Sequence, residues 1–214
     1  MLRRAQHGLQ GGGGRGAASC RHLQGTGRAA RHPQPKGKAM RDELLGATTS
    51  QVLSISLQAG ESVVAVPTRF AWMTDSIEMA PAAPRLCRYT AAGAAGAVAF
   101  GSRRPGRILG VDLGGGGYLL HESGFVAGAP GVRVEPEADR GLPLCRVTGT
   151  GRAWVETAGD VVVLELAAGQ ALRVRPRHIG MLGTGAAVQL AEVPDVAGFE
   201  CAVVSGPGTV WLQC

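Results

Sequence analysis

Apolar and polar residues alternate with a period of two along much of the chain after Met40. The stretch VLSISLQAGESVVAV, residues 52–66, follows this alternation and is interrupted at Ala59-Gly60. The stretch DVVVLELAAGQALRVRP, residues 160–176, has the same design and is interrupted at Ala168-Gly169. Alternation of this kind is typical of strands with one buried face, and each Ala-Gly pair predicts a turn between two strands.

The similar stretches predict an internal repeat. An offset of 109 residues places Gly60 on Gly169, and an offset of 55 residues places Phe70 on Phe125. Recurrence at a fixed period is the sequence signature of a repeated structural unit. We therefore expect residues 40–214 to form one β domain built from three units of about 55 residues. The predicted units cover approximately residues 50–100, 105–156 and 160–214.

Turn signals recur through the same region, while a helical pattern is missing from the sequence. No stretch of 12 residues has the apolar stripe that a substantial amphipathic helix requires. We expect β-hairpins at the turn signals. These signals are Ala59-Gly60, Gly114 to Gly117, Ala129 to Gly131, Ala158 to Asp160, Ala168-Gly169 and Gly206 to Gly208. The sequence predicts an all-β fold in which opposed units bury their apolar sheet faces.

Residues 1–39 differ from the rest of the chain in charge and composition. The chain has a formal net charge of +6, but residues 1–41 hold nine Lys and Arg residues and no acid, while the remainder is acidic. A segment with so few apolar residues is predicted to be disordered. Three interpretations stay open: a start upstream of a native Met40, a transit-like peptide, and a nonspecific nucleic-acid-binding arm.

The cysteines predict free thiols. There are five of them, they are widely spaced, and no two form a Cys-x-x-Cys pair. This pattern argues against a disulfide framework and against a zinc site. The sequence also has no apolar run of about 18–20 residues, which a membrane-spanning helix requires.

No set of residues in the sequence predicts catalysis, a cofactor or a metal. The stretch ILGVDLGGGG, residues 108–117, resembles the first phosphate loop of sugar kinases, but Tyr118 stands where that motif has Ser or Thr. We therefore expect a strand followed by a turn. His121 and His178 lie in strand-like stretches without a spaced set of carboxylate ligands, which favours structural roles. The chain is predicted not to be an enzyme, and an enzyme in a β-barrel mouth is the least favoured hypothesis.

One basic cluster stands out after the N-terminal region. Arg173, Arg175 and Arg177 occupy alternate positions of RVRPRH, so they would share one face of an unbroken strand. Such a face could bind a phosphate or another anionic group. The alternative is a solvated strand whose charges and Pro176 discourage pairing with other chains.

Three tryptophans lie in strand-like stretches of the predicted units. They are Trp72, Trp154 and Trp211. The phrases TGTGRAWVET and SGPGTVWLQC, which contain the last two, are interpreted as the closing strands of two units. Large aromatic side chains in repeated strands favour anchors in the core or at a subunit interface over a ligand cage.

Several longer phrases resemble one known family. They include ESVVAVPTRFAWMTDSIEM, GAVAFGSRRPGRILGVDL, GYLLHESGFVAGAPGVRVE and LAAGQALRVRPRHIGML. In this order they resemble the altered-inheritance-of-mitochondria family, also described as tryptophan RNA-binding attenuator-like, over residues 43–214. The resemblance implies a β-sandwich or double-stranded β-helix of repeated units that tends to assemble. It implies no catalytic residues, and the segment 80–90 is short, as in a bacterial-type member.

These observations favour a non-enzymatic scaffold that acts through protein–protein contacts and self-assembly, as a homo-oligomer or with a protein partner. The alternative is a module that binds nucleic acid or a lipid headgroup through the arginine cluster. Arg-rich, Ala/Gly-rich composition suggests a bacterial cytoplasmic protein, whereas the resemblance implies a mitochondrial location if the source is eukaryotic.

Overall fold

The computed structural model describes residues 20–21, 40–47, 50–114, 116–137, 141–192 and 200–214. Strands dominate these residues, which confirms the predicted all-β fold. The strands are β1 (Cys20–Arg21), β2 (Arg41–Leu45), β3 (Val52–Leu57), β4 (Ser62–Ala65), β5 (Phe70–Met73), β6 (Ile77–Ala83), β7 (Leu86–Ala91), β8 (Gly96–Gly101), β9 (Gly106–Gly114), β10 (Tyr118–His121), β11 (Phe125–Gly128), β12 (Val132–Glu137), β13 (Leu144–Ala158), β14 (Val161–Leu166), β15 (Ala171–Val174), β16 (Ile179–Leu182), β17 (Ala187–Glu192), β18 (Glu200–Ser205) and β19 (Gly208–Gln213). Single 3-10 turns at Pro67–Arg69 and Pro176–His178 precede β5 and β16. Apart from β1, the predicted disordered tail of residues 1–39 lies outside the described residues.

Hydrogen bonding arranges the strands into three sheets, and every pairing in them is antiparallel. The largest sheet has 12 strands in the order β1-β14-β19-β16-β10-β13-β11-β4-β7-β6, with β12 and β9 also paired to β13. A four-stranded sheet has the order β2-β3-β8-β5, and a three-stranded sheet has the order β15-β18-β17.

Strand β13 joins two parts of the largest sheet. Its first half pairs with β10 and β12, and its second half pairs with β9 and β11. The change of partners falls around Gly149 and Gly151, whose φ angles are 107° and 96°. Positive φ values of this kind are readily adopted by glycine, so these two residues let one continuous strand bend.

Two pairing patterns each occur three times along the chain. The first pattern is β3-β8-β5, β9-β13-β11 and β14-β19-β16; the second is β4-β7-β6, β10-β13-β12 and β15-β18-β17. The last strand of each triplet in the first pattern carries a β-bulge at the same place, near Phe70, Phe125 and Ile179. We use these patterns to compare equivalent strands. The division into three units of about 55 residues stays a prediction.

Two further pairings link the patterns to one another. Strand β4 pairs with β11, where Ala65 lies opposite Ala127 and Val64 opposite Gly128. Strand β10 pairs with β16 in the same way, with Leu120 opposite Met181. Each junction therefore joins the second strand of one group of strands to the strand that carries the bulge in the next group.

The prediction of hairpins at the six glycine-containing turn signals is wrong. In the described sheets, the strands on either side of each signal pair with other strands and not with each other. The turn at Ala59-Gly60 shows the reason, because both edges of β3 are occupied by β2 and β8, so β4 must leave that sheet. Hairpin neighbours among the described strands are instead β2-β3, β6-β7, β12-β13 and β17-β18.

The alternation along the strands builds the core. In β3, Leu53, Ile55 and Leu57 are fully buried, whereas Ser54 and Ser56 point to the other face and are more exposed. The period of two in the sequence thus corresponds to one buried sheet face. Aliphatic side chains fill most of the core, and they form three contiguous clusters among the described residues.

Candidate functional site

Strand β5 exposes apolar side chains at the edge of its sheet. Phe70 is 41% exposed, Trp72 is 43% exposed and Met73 is 37% exposed. All four residues of the equivalent strands β11 and β16 are buried. The difference follows from pairing, because β11 and β16 each have a strand on both sides. In the described sheets β5 pairs with β8 alone.

The local sequence explains how β5 is presented. Pro67 starts the 3-10 turn that precedes the strand, and its ring fixes the backbone angle that such a turn needs. Phe70 then stacks against Tyr89, with ring centroids 6.1 Å apart and planes nearly parallel. Tyr89 is fully buried, and burial raises the pKa of its hydroxyl to about 12. The inner side of this edge is therefore anchored in the core, while the outer side is open.

A buried ion pair lies directly before β5. Arg69 is 3% exposed and Glu156 is 7% exposed, and their side chains are in direct contact. The Arg69 guanidinium also donates a hydrogen bond to the carbonyl oxygen of Ser123. Burial lowers the pKa of Arg69, and the attraction of Glu156 opposes that shift. The pair ties the turn before β5 to strand β13.

Glu156 holds a second segment at the same point. One of its carboxylate oxygens accepts hydrogen bonds from the backbone amides of Arg103 and Arg104, at 2.8 Å and 2.9 Å. The sequence analysis missed this carboxylate. The signal was that Glu156 lies two residues after Trp154, so the alternation of the strand predicts that both point to the same, buried face.

The structure places the three predicted anion-binding arginines on an exposed part of the chain. Arg173 lies in β15, Arg175 follows that strand, and Arg177 lies in the 3-10 turn Pro176–His178. All three are exposed. Because β15 ends at Val174, the condition of an unbroken strand is not met for Arg177. Binding of an anion by these residues stays a prediction.

The three predicted tryptophan anchors have different environments. Trp154 is 1% exposed, and its indole nitrogen donates a hydrogen bond to a carboxylate oxygen of Asp42 at 3.1 Å. Trp211 is half-buried and packs edge-on against Tyr118, with ring centroids 5.9 Å apart. Trp72 lies on the exposed edge described above. An indole that packs inside the core and another at an open edge do not belong to a single site.

The two histidines of the body do not come together. A ring nitrogen of His121 lies 2.9 Å from the Ser123 hydroxyl, and burial, aided by a nearby guanidinium, lowers the pKa of His121. His178 lies 2.8 Å from the carbonyl oxygen of Gln213. Among the described residues, no group of three or more His, Cys, Asp or Glu side chains could hold a metal ion.

A shallow open cleft lies elsewhere, between β10 and the turn that follows β16. Its volume is about 250 Å³, and its walls are formed by Gly117, Leu119, Arg146 and residues 183–187. Arg146, the charged residue of this lining, forms an ion pair with Glu137 at 3.0 Å. The cleft therefore presents mostly backbone and small side chains to a ligand. Within the described part of the chain, no helix is long and apolar enough to cross a membrane.

Comparison with known proteins places this fold among relatives. The model of one family, described as mitochondrial biogenesis AIM24, matches residues 43–214. A crystal structure of a Streptococcus pyogenes protein is similar to the chain, with a TM-score of 0.71 and 15% sequence identity. The similar region covers 82% of this chain and 94% of the bacterial one, and at this identity it shows a shared fold. The search of curated proteins found no match.

Proposed function

Because the chain belongs to the mitochondrial biogenesis AIM24 family and exposes an apolar sheet edge, we propose that it is a non-enzymatic structural protein. It acts through protein–protein contacts and self-assembly. The observation that carries this proposal is strand β5, which exposes Phe70, Trp72 and Met73 while its equivalents β11 and β16 are buried.

The physical argument concerns the cost of such an edge. An edge strand offers unpaired backbone amides and carbonyls, and natural proteins usually protect it with charges, prolines or short length. Strand β5 has the sequence FAWM, which contains neither a charge nor a proline. Large aromatic side chains that are exposed together are typical of surfaces that bind another protein. A binding role explains why such residues stand at this edge.

Light scattering coupled to size-exclusion chromatography tests the proposal. The full chain is expected to elute as an assembly whose mass falls on dilution, and Trp72→Ser should shift it towards the monomer. Met79→Ser is the matched control, because Met79 is 54% exposed but lies on β6. A chain that stays monomeric at every concentration and retains no protein partner would contradict the proposal.

A second candidate function rests on the exposure of the arginine cluster. Arg173, Arg175 and Arg177 follow one another along the end of β15 and the next turn, where an anionic ligand can reach all of them. Binding of nucleic acid or anionic lipid should then weaken as salt increases. The triple Arg→Ala variant should lose this binding, and unchanged binding in that variant would exclude the proposal.

The compartment follows from the source of the chain and is also a proposal. A bacterial protein of this composition would act in the cytoplasm. A eukaryotic one would act in mitochondria, as the description of the family suggests.

A further inference from the structure

We infer that β5 of one copy of this chain pairs with β15 of a second copy. The pairing is antiparallel, with Met73 opposite Arg173 and Trp72 opposite Val174. The inference rests on the proposed self-assembly and names the surface, the partner strand and the register. It is drawn from two junctions that the chain already forms within itself.

The two internal junctions use equivalent strands in one register. At the first junction, β4 pairs with β11, and Val64 lies opposite Gly128. At the second junction, β10 pairs with β16, and Leu119 lies opposite Leu182. The residues of β4 and β10 differ by 55 positions, and those of β11 and β16 differ by 54. The register is therefore conserved between the two junctions to the residue.

The same rule applied once more defines a third junction that the chain leaves open. The remaining strand equivalent to β4 and β10 is β15, and the remaining strand equivalent to β11 and β16 is β5. Residue numbering transfers directly: Val64 and Ala65 correspond to Arg173 and Val174 at the offset of 109. In the sheets that the structure describes, β15 pairs with β18 alone and β5 pairs with β8 alone. Each strand thus keeps one open edge, on the side that its equivalents use.

The exposure of β5 matches this missing partner. Its equivalents at the bulge and after it are buried at both completed junctions: Phe125 is 2% exposed, Ala127 0%, Ile179 0%, Met181 0% and Leu182 0%. Phe70, Trp72 and Met73 occupy the same positions and stay exposed. A second copy that supplies β15 would cover these side chains as β4 and β10 cover their partners.

The side chains of β15 suit that contact. Leu172 is half-buried and Val174 is 8% exposed, so apolar surface already lies on one side of this strand. Arg173 is exposed and would lie opposite Met73, where its aliphatic part can pack against the thioether while its guanidinium stays in water. The contact joins two different strands, so each bound copy still offers a free β5 or β15. Head-to-tail contacts of this type produce closed rings or open filaments.

Disulfide crosslinking of mixed copies tests the register. Directly opposed residues of an antiparallel pair have Cα atoms about 4.5–5.5 Å apart, which suits a disulfide. Met73→Cys chains mixed with Arg173→Cys chains, both with Cys214→Ser, are expected to form a crosslinked heterodimer on mild oxidation. Each variant oxidised alone controls for crosslinks through the native cysteines. Arg175→Cys is the matched partner control, because it lies diagonally to Met73 at about 7–8 Å and should crosslink far less.

A charge placed on the edge gives a second, independent readout. Trp72→Asp is expected to weaken association about thirty-fold or more, the effect typical of a tryptophan at the centre of an interface. Met79→Asp, on the neighbouring strand β6, should leave association unchanged. Both residues are exposed, so circular dichroism should show that both variants remain folded.

The outcomes separate the inference from the function on which it rests. A chain that is monomeric at every concentration overturns both. An assembly that survives Trp72→Asp and shows no preference for Arg173→Cys over Arg175→Cys overturns the inference and leaves self-assembly standing. If the double variant Met73→Cys/Arg173→Cys crosslinks within a single monomer, β15 of the same chain covers β5, and the inference is wrong. Protection of Met73→Cys from a maleimide in the diluted monomer would likewise show that another segment of the chain occupies this edge.

Discussion

Replacing Arg69 by methionine tests whether the buried ion pair holds β5 in place. Methionine has a similar length but no charge, so the variant leaves the Glu156 carboxylate, which is 7% exposed, without its cation. Breaking a buried pair by removing one partner typically costs about 3–5 kcal/mol, because an uncompensated charge stays buried. The two backbone amides that bind Glu156 remain in place and stabilise the lone carboxylate. We therefore expect a loss near the lower end, about 3 kcal/mol.

Chemical and thermal unfolding measure this loss. For a chain of this size, about 3 kcal/mol corresponds to a decrease in Tm of roughly 6–12 °C. The double variant Arg69→Met/Glu156→Gln should recover part of the stability, because the charge that Arg69 neutralised is then also removed. Arg107→Met is the matched control. Arg107 pairs with Asp160 at 3.4 Å, but the two side chains are 39% and 84% exposed, so its loss should stay below about 1 kcal/mol.

Two results would refute this reasoning. If Arg69→Met costs no more than Arg107→Met, burial does not make the Arg69–Glu156 pair important for stability. If the double variant is as unstable as the sum of the two single variants, the two side chains do not act as a pair.

Three further predictions concern other parts of the fold. Gly149→Ala should cost clearly more stability than Gly60→Ala, which should cost about 1–2 kcal/mol: both glycines have positive φ, but a Cβ at Gly149 would meet a backbone carbonyl oxygen whereas Gly60 faces open space. Equal losses in urea titrations would contradict this. At pH 8, iodoacetamide should modify the exposed Cys214 much faster than Cys145, because Cys145 is buried and burial raises its pKa to about 11; peptide mass spectrometry gives the rates, and equal rates would show that the Cys145 region opens. Between about pH 7 and 5, the wild-type chain should lose more stability than His121→Asn, because burial lowers the pKa of His121 in the fold while the unfolded histidine takes up a proton near 6.5; identical pH profiles would exclude this role.

The candidate site shows how far sequence reasoning reaches. Trp72 was identified from the sequence as an anchor in the core or at an interface, and the arginines of β15 were identified as an exposed basic cluster. Their relation as strands with open edges could not be predicted, because it depends on which strands occupy the edges of β3, β8 and β18. The Arg69–Glu156 pair was missed for a similar reason: the two residues are 87 positions apart, and only the fold brings their charges together.

The sequence by itself determined the strands, the turns and the family. Alternation over residues 52–57 predicted a buried face that the structure shows, and Gly60 and Gly169 mark turns with φ near 80° in both places. These features are local, since a period of two depends on one face of one strand and a positive φ depends on one residue. The tertiary structure alone decided which strands pair. A glycine turn permits a sharp change of direction, but the destination of the next strand depends on which sheet edge is free. For this reason the predicted hairpins became crossings between sheets, and β5 and β15 kept open edges where their equivalents are paired.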